Sequence, residues 1–122
     1  MSVTYEVASR ALGLVETMGE ALVFARERAR DEDMFWTVNT ICDVGEALAA
    51  VERAFQAAGI GWANTLWQEW SDWLWEVLDR AARACVEEKW EEARSLLEGQ
   101  LIPAFEGWKE ETAKILAPSV LC

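Results

Sequence analysis

Carboxylates are the most abundant reactive groups in this sequence. The pairs Asp43-x-x-Glu46 and Glu69-x-x-Asp72 have the i,i+3 spacing that puts both acids on one side of a helix, where oxygens can hold a hard cation such as Mg²⁺ and the ion can activate water. Glu76/Asp79 and Glu88/Glu91 repeat the spacing. With 22 acids in 122 residues, however, random placement yields about four such pairs, so they carry no information beyond composition. The candidate nucleophiles Ser9, Ser71, Ser95 and Cys85 lack an activator, because the chain has no histidine and no lysine base at a helpful spacing. Gly59-Ile60-Gly61 is a turn and not a phosphate loop, lacking a preceding strand and a Gly-Lys-Ser/Thr ending. These residues predict no catalytic centre, and neither a metal nor another cofactor.

The compositional anomaly is tryptophan, eight in all, with Trp62, Trp67, Trp70, Trp73 and Trp75 crowded into one stretch. Each offers a large apolar surface and one N–H that wants a partner when buried. Helical phase puts Trp70 and Trp73 on a core stripe with Trp67 at its edge. Trp36, Trp62 and Trp75 project about 95° to 125° from the core centre of their helices, and Phe24 faces nearly opposite its own seam. Aromatics on the rim of a bundle are the residues interfaces favour. Phe24, Trp36, Trp62, Trp67 and Trp75 are therefore the candidate partner-binding set. Glu52 falls near the apolar side of its helix, where an unpaired carboxylate is costly, and Arg26 is its expected partner.

The elements that position these side chains are helices, since Ala, Leu, Glu and Arg dominate and only two prolines and seven glycines punctuate the chain. Thr4, Ala8, Ala11, Val15, Met18, Leu22, Ala25 and Ala29 recur at steps of four and three, a seam on a first helix ending near Arg30. Met34, Val38, Ile41, Gly45, Leu48 and Phe55 mark a second, ended by Gly59 and Gly61. Thr65-Leu66-Trp67-Gln68 has the form of a capping box for a third, which begins near Asn64 and carries Leu66, Trp70, Trp73, Val77 and Ala81 inward. The stripe Trp90–Ala93–Leu97 is about 160° out of phase with that one, so the chain must break between Cys85 and Lys89. Leu97, Leu101, Ala104, Trp108 and Ile115 keep one phase across Pro103, which predicts a last helix bent at the proline. The fold expected is all-α, an antiparallel four-helix bundle of four to five helices in a single domain, residues 1–122.

A net charge of −11 repels a phosphate backbone and argues against nucleic acid. No apolar run reaches the about 20 residues of a membrane span. The first ten residues lack a signal-peptide layout, and three cysteines without CxxC spacing indicate neither a disulfide framework nor a zinc site. A cytoplasmic location is the expectation, with Cys42 and Cys85 as small core residues and Cys122 as a free thiol. Glu6–Arg10, Glu76–Arg80, Asp79–Arg83 and Glu110–Lys114 have the favourable i,i+4 order of solvated ion pairs.

Leu14-Val15, Ala21-Leu22-x-Phe24 and Ala29 are followed by an acidic turn at Asp31–Asp33 and the aromatics Phe35-Trp36. Together with Leu66-Trp67-x-x-Trp70-x-x-Trp73-Leu74, Trp90 and Trp108, this layout resembles the flagellar export chaperones, with tryptophans where that family favours tyrosines. Those are small acidic helical bundles that hold the sticky terminal helices of flagellin before secretion. The resemblance implies a non-catalytic chaperone or adaptor gripping an amphipathic helix of a client protein through rim aromatics. Two alternatives follow from other features. Asp43/Glu46 and Glu69/Asp72 resemble the acidic pairs of all-α nucleotide pyrophosphohydrolases, which would make a Mg²⁺-dependent nucleotide hydrolase, although Cys42 stands where that motif has a glutamate. The outer aromatics of a structural homodimer would instead bury one another.

Overall fold

The computed structural model describes residues 5–60 and 64–121, with side chains as far as Ala117, and the described residues form helices and turns without a strand. Thr4, Trp62 and Cys122 lie outside them. Helix α1 (Tyr5–Arg30) buries Ala8, Ala11, Val15, Met18, Leu22, Ala25 and Ala29, the seam its spacing predicts. Four alanines in that seam let α2 (Met34–Ala57) approach closely, and α1 with α2 is the most extensively packed helix pair. Asp33 starts α2 as its N-cap, its carboxylate accepting the Trp36 N–H at 3.1 Å. The inner face of α2 is Thr37, Thr40, Ile41, Val44, Gly45, Leu48, Val51 and Phe55. Met34, expected on that seam, is exposed, and Val38 is half-buried. Two threonines, Thr37 and Thr40, turn inward instead.

Helix α3 (Thr65–Val86) is capped by Asn64, whose side chain accepts the Trp67 N–H at 2.9 Å. Thr65, the expected cap, is the first helical residue. The inner face of α3 is Trp67, Ser71, Leu74, Val77, Leu78, Ala81, Ala84 and Cys85. Its first half thus lies one position away from the expected stripe: Leu66 and Trp73 are exposed and Trp70 is half-buried. Ser71 decides the rotation, because its buried hydroxyl accepts the indole N–H of fully buried Trp108 at 2.9 Å.

The chain breaks after Val86, as phase requires, and three turns share one wiring. Glu32, Gly59 and Glu88 adopt left-handed backbone with φ of 55°, 72° and 57°. In each turn the following residue donates five positions back: Asp33 N to Arg28 O, Ile60 N to Phe55 O and Lys89 N to Ala84 O, at 2.9–3.0 Å. These are Schellman caps, which satisfy helix-end carbonyls within the chain.

The last helix comprises α4 (Trp90–Leu96), a π-turn (Leu97–Leu101) and α5 (Ile102–Leu121) without a gap. Where the sequence predicts a bend at Pro103, the chain makes a π-turn just ahead of it. Proline has no N–H to give, and just before it the Ile102 N–H reaches back five residues to Leu97 O. The wider turn shifts the register downstream by about one residue, equivalent to about 100°. Beyond it Ala104, Phe105, Trp108, Thr112 and Leu116 are buried, and Ile115, expected on the seam, is half-buried beside Leu116.

Each of the four long elements packs on two others, α1 on α2, α2 on α3, α3 on the last helix and the last helix on α1. Along α1, Gly19 faces Phe105 while Arg30 pairs with Glu98 at 3.0 Å, so these two helices run antiparallel. Glycines let aromatics lie close at two further crossings. Any Cβ on Gly107 would collide with the Trp70 ring, and one on Gly45 would stand 3.3 Å from Trp75.

Candidate functional site

The residues with catalytic potential are dispersed. Asp43, Glu46, Glu69 and Asp72 are all exposed, and among the described residues no three or more of Cys, Asp and Glu gather closely enough to hold a metal ion. Ser9 and Ser95 are exposed. Ser71 is committed to Trp108, and burial pushes the Cys85 thiol up to about 11, which leaves little thiolate near neutrality. Cys42, expected in the core, is exposed on the outer side of α2. Its small side chain suits either place, and the inner positions on this stretch belong to Ile41 and Val44.

The indoles divide into three groups. Trp67, Trp90 and Trp108 are core residues. Trp67, expected as a rim contact, is only 3% exposed: its ring lies 4.8 Å from Phe55 and its N–H donates to the Thr112 hydroxyl at 2.9 Å. That hydroxyl in turn donates to the Trp108 carbonyl at 2.8 Å. The N–H groups of Trp67 and Trp108 therefore both find buried acceptors, and α3 is laced to α5.

Trp70, Trp73 and Trp75 form the second group, along the outer flank of α3. Trp70 lies on Gly107. The Arg80 guanidinium sits 5.8 Å from the ring centre of Trp73. Trp75 is 37% exposed, yet it is fixed at both ends, its ring against Gly45 and its N–H on Glu52 at 2.8 Å. Trp75, and not Arg26, is the partner of Glu52; Arg26 is half-buried with its Nε unbonded. Burial raises the Glu52 carboxyl above its ordinary 4.5, the Trp75 hydrogen bond pulls it partly back, and Asp72 adds to the rise.

The third group stands at the α1–α2 end. Trp36 is 52% exposed and meets Phe35 edge to face at 5.2 Å, with exposed Met34 beside them in sequence. Phe24 is exposed on the outer face of α1 beneath the Arg28 guanidinium, 5.2 Å away. Of the five sequence candidates, Phe24, Trp36 and Trp75 are on the surface, Trp67 is not, and Trp62 lies outside the described residues. Met34, Phe35, Leu66 and Trp73 are surface apolar groups that periodicity missed. The signal that could have found Phe35 was its place directly after Asp33, a competent cap, in the first turn of α2.

Among the described residues, grooves run between two pairs of helices. One, of about 620 Å³, separates α1 from α5 over Gly19 and Phe105, with Glu16, Glu20, Glu106 and Lys109 at its edges. The other, of about 440 Å³, lies between α2 and α3. Ile41 and Leu78 form its floor, Gly45, Ala49 and Ala82 keep it shallow, Trp75 walls it, and Glu46 and Asp79 stand at its mouth. This arrangement can bury apolar side chains and orient a charged group. No helix among the described residues is long and apolar enough to cross a membrane.

No curated protein and no solved structure matches the chain. A family model does match, over residues 6–111, which takes in all four long elements; the chain belongs to the family described as Domain of unknown function (DUF8042).

Proposed function

We propose that this protein is a non-catalytic binding bundle, a cytoplasmic chaperone or adaptor that holds an amphipathic helix of a client protein. The observation that carries this reading is that Trp36 and Trp75 stand substantially exposed on well-packed helices, while the residues suited to catalysis are scattered or sealed in the core. Exposed aromatics on a rigid frame lose little entropy on contact and bury a large area, the character of interface hot spots. The net charge of −11 keeps such a surface soluble and selects against acidic clients. Phe24, Trp36 and Trp75 form the grip.

Capture from a native lysate tests it. Trp36→Ala/Trp75→Ala should lose the specific clients that the wild-type chain retains, and undiminished capture would reject the grip. Consecutive exposed Met34, Phe35 and Trp36 favour a second reading, a homodimer joined at that end of the bundle. Sedimentation separates the two, since Trp36→Ala would then convert a dimer to monomer.

A further inference from the structure

The α2/α3 groove is asymmetric in chemistry. Its interior is apolar and its mouth is acidic, with Glu46 on α2 and Asp79 on α3, and no lysine or arginine lines it. Asp79 reaches Arg83 at 3.2 Å, whereas Glu46 and the neighbouring exposed Asp43 enter no ion pair among the described residues. Trp75 presents an indole face held in place by Gly45 and Glu52. An anchored indole beside free carboxylates is a good seat for a cation with an alkyl stem.

We infer that this groove receives a cationic amphipathic helix of a partner protein, its small apolar side chains over Gly45, Ala49 and Ala82 and a lysine or arginine across Trp75 toward Glu46. The inference rests on the binding reading above and adds the place and the sign of the ligand. A second copy is a poor occupant, because groove against groove would set Glu46 and Asp79 against their own counterparts. An anionic membrane surface is repelled for the same reason. The α1/α5 groove has Lys109 at its edge and no exposed indole.

The experiment titrates the isotopically labelled full chain, carrying Cys122→Ser, with a synthetic amphipathic helix of leucine and lysine and with its leucine and glutamate counterpart. The basic peptide binds, shifts the Trp75 indole resonance more than that of Trp36, and weakens as salt is raised. Glu46→Gln/Asp79→Asn, at the two carboxylates of the groove mouth, lowers its affinity about three- to tenfold, the range for two exposed charge contacts. Cys42 lines the groove and is exposed, while Cys85 is buried, so a bulky maleimide attached to Cys42 blocks the site without altering the acids or the indole. Equal affinity for both peptides, shifts confined to Trp36, full binding after Cys42 alkylation, or no binding of either peptide each overturns the groove assignment. Client capture lost in the lysate with Trp36→Ala would in those cases leave the broader reading standing.

Discussion

Thr112 is the residue on which the tryptophan packing turns. Its hydroxyl, fully buried, accepts from Trp67 and donates to the Trp108 carbonyl. Thr112→Val keeps the shape and strands the indole N–H, so it should lower unfolding free energy by about 1–3 kcal/mol in urea titrations. Glu52 gives a pH signature. A carboxyl raised above 4.5 in the folded protein binds its proton more tightly there than in the unfolded chain. Its contribution to stability is present in full below 4.5 and is lost as pH climbs through the raised value. Glu52→Gln retains an oxygen for the Trp75 N–H, so its urea midpoint should gain on wild type as pH rises toward neutrality; parallel curves would show that the ionisation carries no cost. The half-buried place of Glu52 was legible in the sequence, though with Arg26 as the expected partner in place of Trp75; the role of Thr112 was not. Hydrophobic periodicity sees Ser71, Thr37 and Thr112 as surface signals, whereas each occupies an inward position, and a buried Ser71 is what rotates the Trp70 and Trp73 flank of α3 outward.

At the scale of elements, local chemistry was a better guide. The α1 seam read from its sequence is the one buried, because alternating steps of three and four admit no other face. The break after Val86 also follows from phase alone. The turns were only half legible: Gly59 announces itself, but Glu32 and Glu88 hold the same left-handed backbone with a side chain attached. That conformation costs an L residue about 1–2 kcal/mol, offset by the two backbone hydrogen bonds each cap makes. Glu88→Gly should therefore raise stability by about 1 kcal/mol despite removing a side chain, readable as a higher urea midpoint with an unchanged slope. The cap of α3 was displaced by one residue from expectation because Asn64 and Thr65 are both competent, and the asparagine precedes the first helical turn.

For the molecule as a whole, sequence composition set the charge and the class of fold, but not which indoles remain outside. That choice depends on how helices rotate against one another, and glycines at 45 and 107 set two of those contacts. Charge has its own consequence for stability. The ion pairs are solvated, for example Glu6–Arg10, Asp79–Arg83 and Glu110–Lys114, and such pairs contribute little. Repulsion within a net charge of −11 therefore dominates the response to salt. Raising sodium chloride from about 0.01 M to about 0.2 M should increase the Tm by a few degrees, as screening shortens the reach of that repulsion; a falling Tm would mean that the pairs outweigh it.

The π-turn before Pro103 links these scales. It acts as a phase adjuster, a single surplus residue that lets Trp90 and Leu116 aim at the same interior from opposite halves of one rod. Excising Gly99 would remove the surplus and close the wide turn to an ordinary α-turn, leaving Phe105, Trp108 and Thr112 on the face they now occupy. A chain one amino acid shorter would keep both its helices and its bundle, seen as retained far-ultraviolet dichroism with a retained near-ultraviolet tryptophan signal; collapse of the second signal would show that the wide turn does not absorb a single residue.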